Sequence, residues 1–185
     1  GLLFAYRGKL YIGEMDYDGA LLFAPSVPAD GSSTYTGTAH EVQMRYRLAP
    51  QRGYWLDMLA SAGIDLWERE LSDVQKEDYT IVFARFGLEL NATGERGWTF
   101  GAGLKFPVWT EEDAHFTDAG FDQNPKLEPE AKVMGYGHAG FRFQRNLALI
   151  AYVDGFNFGD SDSVTVTQGG SSFEFFQPAS RQYNF

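Results

Sequence analysis

The side chains best suited to bind an ion lie in one acidic stretch near the middle of the chain. His115 follows three consecutive acidic residues, and a histidine beside carboxylates is a ligand set that a transition metal could use. Several carboxylate oxygens are also what Ca²⁺ or Mg²⁺ requires. The candidate ligands for a divalent cation are Glu111, Glu112, Asp113, Asp118 and Asp122. Their spacing matches no dedicated calcium loop, so we expect a solvated acidic surface here rather than a metal site held by the protein.

The residue types of the chain give little indication of a catalytic site. The chain contains no Cys, which excludes disulfides and thiolate metal sites. Its three histidines, His40, His115 and His138, lie in no recognisable nucleophile motif. We therefore predict no catalytic residue and no cofactor.

The other charged side chains alternate with apolar ones along short segments. In the clearest case Val42, Met44, Tyr46 and Leu48 alternate with polar residues at positions 41, 43, 45 and 47. A period of two predicts a β-strand with one apolar and one polar face. Across all segments, the polar face collects a mixed-sign set: Glu41, Arg45, Arg47, Asp57, Asp65, Arg85, Glu89, Lys105, Lys132, His138, Arg142 and Asp154, with Arg7, Lys9 and Gln43 on the same parity. Aromatic side chains, among them Trp109, share this parity and are expected to fill the interior.

The order of these segments predicts an all-β fold. Long connections at 13–40, 68–78, 111–130 and 157–171 alternate with short turns at 50–53, 91–97 and 144–146. Strands of roughly 9–11 residues joined in this way are typical of a closed antiparallel up-and-down transmembrane β-barrel of eight strands. With no linker-like composition, residues 1–185 are expected to form a single domain.

Charge and hydropathy narrow the class of protein. The net charge of -10 argues against a nucleic-acid partner, which requires a basic surface. The mean hydropathy is only -0.31, and no apolar run approaches the ~20 residues of a spanning helix. A soluble barrel is the alternative, but it would have to bury the charged face, at a high cost in desolvation. The apolar face is therefore expected to contact lipid. The first residues contain no signal peptide, so we expect a processed chain.

The eighth segment, 172–185, has the least regular pattern. Pro178 removes one backbone donor, and Arg181 shares the parity of Tyr183 and Phe185. Two interpretations remain open: a strand that lacks its last residues, or a true terminus whose final three residues resemble the aromatic C-terminal signal of outer-membrane barrels.

On these segments and turns the chain resembles the small outer-membrane barrels that include the OmpA membrane domain, OmpX and NspA. The resemblance implies an integral protein of the bacterial outer membrane, with periplasmic termini and short turns and with four extracellular loops. It implies outer-membrane lipids and lipopolysaccharide as partners, with divalent cations and an extracellular or envelope protein as further candidates. Members of this class include anchors, adhesion surfaces, pores and lipid-modifying enzymes, and the fold does not choose among them.

Our leading functional hypothesis is a non-enzymatic outer-membrane barrel with a filled, charge-paired lumen and long acidic loops for envelope integrity or surface interaction. An eight-stranded barrel has room for little besides side chains, and charges are tolerated there when paired. The third connection, with Phe116, Phe121 and Leu127, is expected to offer apolar contact points. One alternative is a narrow pore for small solutes. Another is a lipid-modifying enzyme, which would need a His and a Ser on the lipid face, whereas His138 and Ser61 share the lumen parity.

Overall fold

The fold is an all-β antiparallel architecture. A computed structural model describes residues 1–17, 20–21, 24–28, 31–48, 52–72 and 75–184. No helix long and apolar enough to cross a membrane occurs in this part of the chain. The strands are β1 (Leu2–Tyr17), β2 (Ala20–Leu21), β3 (Ala24–Pro28), β4 (Gly31–Arg47), β5 (Tyr54–Ser72), β6 (Gln75–Ala92), β7 (Gly97–Asp113), β8 (Lys126–Leu127), β9 (Pro129–Lys132), β10 (Met134–Gln144), β11 (Leu147–Ser161), β12 (Val164–Gln168), β13 (Ser171–Phe175) and β14 (Ser180–Asn184).

Eight of these strands form one continuous path. Their order is β1-β4-β5-β6-β7-β10-β11-β14, and every neighbouring pair is antiparallel. Short strands β8 and β9 join the same sheet, while β2–β3 and β12–β13 form separate two-stranded sheets. The predicted count of eight is therefore wrong for the described residues as a whole, because the predicted loops contain strands of their own.

The main sheet curls so that its two ends approach each other. Lys9 in β1 lies 3.2 Å from Asp154 in β11, although five strands separate β1 from β11 along the path. Among the described residues no backbone ladder joins β1 to β14, so the predicted closure of the barrel is not observed.

The long strands continue well into segments that the sequence predicted as loops. The predicted loop 68–78 is largely a β5–β6 ladder, in which Glu68 pairs with Asp78 and Glu70 with Lys76. The predicted loop 13–40 contains the end of β1, all of β2 and β3, and the first part of β4. Apolar alternation ends at these positions, but backbone hydrogen bonding does not depend on it. The predicted loops were therefore too long.

The short connections lie where the sequence predicts them. Arg145 and Asn146 turn the chain from β10 to β11, and residues 93–96 connect β6 to β7. In the first turn, residues 49–51 lie outside the described residues, while Arg52 and Gly53 have φ values of 50° and 84°. Such positive values favour glycine, which explains Gly53.

Side chains on the two faces of the sheet have opposite exposure. On the outer face Phe4, Leu10, Ile12 and Leu149 are 71%, 85%, 84% and 71% exposed. The inner face is polar and buried: Glu41, Gln43, Asp57, Asp65, Arg85, Glu89, Lys105 and Asp154. Apolar side chains also fill part of the interior, in a cluster formed by Trp67, Tyr79, Ile81, Phe83, Phe156 and Phe158. We call this cluster the aromatic plug.

A β-bulge changes the parity of β7. Val82 pairs with Trp109 but Phe83 pairs with Pro107, so one extra residue is inserted in β7. Trp109, whose parity predicted an interior position, is consequently 43% exposed, while Thr110 and Glu112 are buried. The sequence pattern alone could not reveal this shift, since the bulge depends on pairing with β6.

The third and fourth predicted loops pack against each other in a second core, which we call the loop core. Its buried members are Ala114, Phe116, Leu127 and Val166, with Phe121, Val164, Phe173 and Phe175 packed against them. The backbone N–H of Asp122 donates to the carbonyl of Thr167 at 2.7 Å. Phe116 and Leu127 are therefore occupied in this core, and the expectation that they provide exposed contact points is wrong.

Candidate functional site

Asp154 is the centre of the interior charges. Lys105 Nζ lies 3.4 Å from one of its carboxylate oxygens, and Lys9 Nζ lies 3.2 Å from the other. Arg85 donates to the same carboxylate, and so does the backbone N–H of Gly155, at 2.8 Å. Four strands, β1, β6, β7 and β11, thus meet at one buried anion. Buried carboxylates are tolerated when they are paired in this way.

Aromatic rings surround the cations of this group. Lys105 Nζ lies 3.3 Å from the ring centre of Phe156 and 4.5 Å from that of Phe83. The guanidinium of Arg85 lies 4.9 Å from the ring centre of Tyr136. Cation–π contacts of this kind offset part of the desolvation of buried cations. The same rings cover the two cations, so that Arg85 and Lys105 are 3% and 1% exposed.

Two further carboxylates adjoin the Asp154 group. Glu41 accepts a hydrogen bond from the Ser61 hydroxyl and lies 3.9 Å from Arg85. Asp65 accepts a hydrogen bond from the Tyr11 hydroxyl. Because Ser61 donates to a carboxylate, its hydroxyl is not arranged as a nucleophile beside a histidine.

A second set of ion pairs lies near the short-turn end of the sheet. Arg45 Nη1 is 2.8 Å from Glu89, and Arg47 binds Asp57 through two hydrogen bonds of 2.8 and 2.7 Å. The two-bond geometry orients the Arg47 guanidinium firmly. Asp57 is completely buried, so this pair also belongs to the interior.

Three predicted network residues have other surroundings. Arg142 donates to the backbone carbonyl of Ala92 at 2.7 Å. Lys132 lies 3.5 Å from Glu130, and its side chain is 45% exposed, so its predicted place in the lumen is wrong. His138 is half-buried over Gly101, and no ion pair of His138 occurs among the described residues.

The sequence did not predict a buried acidic group at the end of the interior that lies away from the short turns. Glu112 is 1% exposed, and neither carboxylate oxygen makes a hydrogen bond of normal geometry within the described residues. Burial, together with the nearby negative charge of Glu77, raises the pKa of Glu112 to about 8. Burial also raises the pKa of Tyr79, which pairs with Glu112 in the ladder. Only the bulge in β7 brings Glu112 inward, so the sequence offered no signal for it.

The five candidate cation ligands do not converge. Glu111 and Asp113 both face Lys126, and Asp122 accepts a hydrogen bond from Thr167 at 3.0 Å. Glu112 is buried beneath them. No group of three acidic or histidine side chains that could hold a metal occurs in the part of the chain that the structure describes.

His115 lies beside two other carboxylates instead. Its Nε2 lies 2.8 Å from Asp78, and its Nδ1 lies 3.8 Å from Asp118. The hydrogen bond to Asp78 raises the pKa of His115 above its usual value. His40 lies on the outer face, where its Nδ1 is 2.5 Å from the Tyr6 hydroxyl. The three histidines are therefore far from a common site.

Comparisons with known proteins returned no match to a family model, a curated protein or a solved structure. Functional inference for this chain therefore depends on the arrangement of its own residues.

Proposed function

We propose that this protein is an integral bacterial outer-membrane β-barrel of eight long strands that serves as a non-enzymatic scaffold. The observation that supports the proposal is the inverted exposure of the strands, with charged side chains inside and apolar side chains outside. Soluble proteins rarely expose a continuous apolar surface of this kind. In a bilayer, hydrocarbon replaces water around this surface. The transfer stabilises the protein by about 1.5–3 kcal/mol for each large apolar side chain that is fully moved from water.

The length of the apolar surface fits a bilayer. On β7 the exposed apolar side chains extend from Trp98 to Val108, which matches the roughly 9–11 residues that a tilted strand needs to cross. Acidic residues follow on the side away from the short turns, beyond Leu66 in β5, Thr80 in β6 and Trp109 in β7. We take these three positions as the upper limit of the membrane-spanning segments.

The contact between Lys9 and Asp154 supports closure of the sheet. It brings the first strand to the seventh strand of the eight-strand path, on the inner side. We infer that side-chain contacts of this kind hold the two ends of the sheet together, although no backbone ladder joins β1 to β14 among the described residues.

A blocked interior favours the scaffold over the pore. Buried ion pairs around Asp154 and the aromatic plug above them lie across the path that a channel would follow, and the space that remains lies to one side, beside β1. The long strands continue beyond the membrane-spanning segments, where they carry acidic ladders and the loop core. We infer that these parts are extracellular, beside lipopolysaccharide, and that they support envelope integrity or binding of a surface partner.

Site-directed spin labelling tests the orientation. The chain has no Cys, so single cysteines can be introduced at Met44, on the outer face, and at Gln43, its buried neighbour. After folding into lipid vesicles, a label at Met44 should be relaxed by oxygen and not by a water-soluble nickel complex. A label at Gln43 should be protected from both. If the nickel complex relaxed the Met44 label as strongly as oxygen does, the membrane orientation would be refuted.

A further inference from the structure

A large cavity lies beside β1 and touches both faces of that strand. Its volume is about 900 Å³, which is in the range of small-molecule sites. Its lining includes Arg7 and Lys9, which lie on the inner parity, and Leu10 and Ile12, which are 85% and 84% exposed. The lining also includes Asp154 of β11 and Tyr183 of β14, so the cavity lies between β1 and the other end of the sheet. The cavity therefore connects the interior with the outer surface.

The edge of β1 leaves room for this passage. Within the described residues β1 pairs only with β4, and β14 pairs only with β11. Tyr183 of β14 forms part of the opposite wall. We call this opening between β1 and β14 the lateral window.

The carboxylates that line the cavity already have partners, whereas one of its cations has no ion-pair partner in the described part of the chain. The lining contains three cations, Arg7, Lys9 and Arg85, and three carboxylates, Glu41, Asp65 and Asp154. Asp65 accepts a hydrogen bond from Tyr11. Asp154 already has three cationic partners, and Glu41 is bound by Ser61 and faces Arg85. Arg7 makes no ion pair with the described residues, so its guanidinium is available to an anion.

We propose that the lateral window binds a single-chain anionic amphiphile of the fatty-acid type, with its headgroup at Arg7 and its hydrocarbon chain along Leu10, Ile12 and Tyr183. A guanidinium binds a carboxylate through charge-assisted hydrogen bonds, and the outer residues offer an apolar wall. The proposal rests on the membrane location proposed above, because that location brings the window into contact with lipid.

A fluorescent fatty acid, parinaric acid, tests the site on the full chain in a non-ionic detergent. Its fluorescence increases when its chain is held in an apolar environment, and its methyl ester lacks the charge. We expect the acid to bind more tightly than the ester. Arg7→Gln should weaken binding of the acid about tenfold or more, since a hydrogen bond to a charged group is lost. Arg145→Gln, in the exposed β10–β11 turn, should leave it unchanged.

A second pair of variants tests the apolar wall. Leu10→Ser should weaken binding of the acid severalfold, whereas Leu149→Ser, an equally outward leucine away from the cavity, should not. Far-ultraviolet circular dichroism confirms that each variant is folded. Equal binding of acid and ester, or equal loss in the two leucine variants, would overturn the proposal. The spin-label result at Met44 is independent, so a membrane barrel without this site can be distinguished from a failure of the membrane proposal.

Discussion

Replacing Asp154 by asparagine tests the interior ion-pair network directly. The change keeps the shape of the side chain but removes the negative charge that faces Lys9, Arg85 and Lys105. Lys105 is 1% exposed and does not line the cavity beside β1, so water has little access to it once its partner is lost. Breaking a buried pair by removing one member typically costs about 3–5 kcal/mol. We expect Asp154→Asn to lower the free energy of unfolding by this amount.

Urea-induced unfolding from lipid vesicles, followed by tryptophan fluorescence, measures this free energy. The matched control is Glu130→Gln, which removes one carboxylate of an exposed pair with Lys132 and should cost at most about 1 kcal/mol. The double variant Asp154→Asn with Lys105→Met should lose less than the sum of the two single changes, because it also removes one buried cation. Equal stability of the Asp154 and Glu130 variants would refute the view that the interior charges hold the sheet together.

Three further predictions concern the upper interior, the bulge and conduction. Because the folded pKa of Glu112 is raised to about 8, above the value in the unfolded chain, the folded state binds more protons between the two values, and stability should fall as pH rises from about 4.5 to 8. Urea unfolding at several pH values should show this slope in the parent and a smaller one in Glu112→Gln. Brominated lipids should quench Trp109 in a variant that retains it as the only tryptophan, but should not quench Trp67 retained alone, since Trp67 stacks on Tyr79 inside with 3.9 Å between ring centres. Planar-bilayer recordings of the parent should show no ion conductance, and a steady conductance altered by Arg85→Ala would favour the pore.

Alternation predicted the strands well because exposure on a sheet has a period of two. The pattern from Val42 to Leu48 places Met44 and Tyr46 outward and Gln43 inward, and the structure confirms these positions. The same logic failed at Trp109, since one inserted residue reverses the parity of everything after it. Alternation also failed to predict the strands beyond the membrane-spanning segments, where Glu68 and Glu70 lie in a ladder without any apolar periodicity.

The sequence by itself determined that the fold is all-β and antiparallel, the inward and outward faces of most long strands, and the mixed charge of the inner face. These properties follow from local alternation, which is written in consecutive residues. Only the tertiary structure decided which charges meet. Asp154 gathers Lys9, Arg85 and Lys105 from distant strands, because the register and curl of the sheet bring them to one level. The burial of Glu112, the loop core and the lateral window depend on the same long-range pairing, and such contacts leave no periodic signal along the chain.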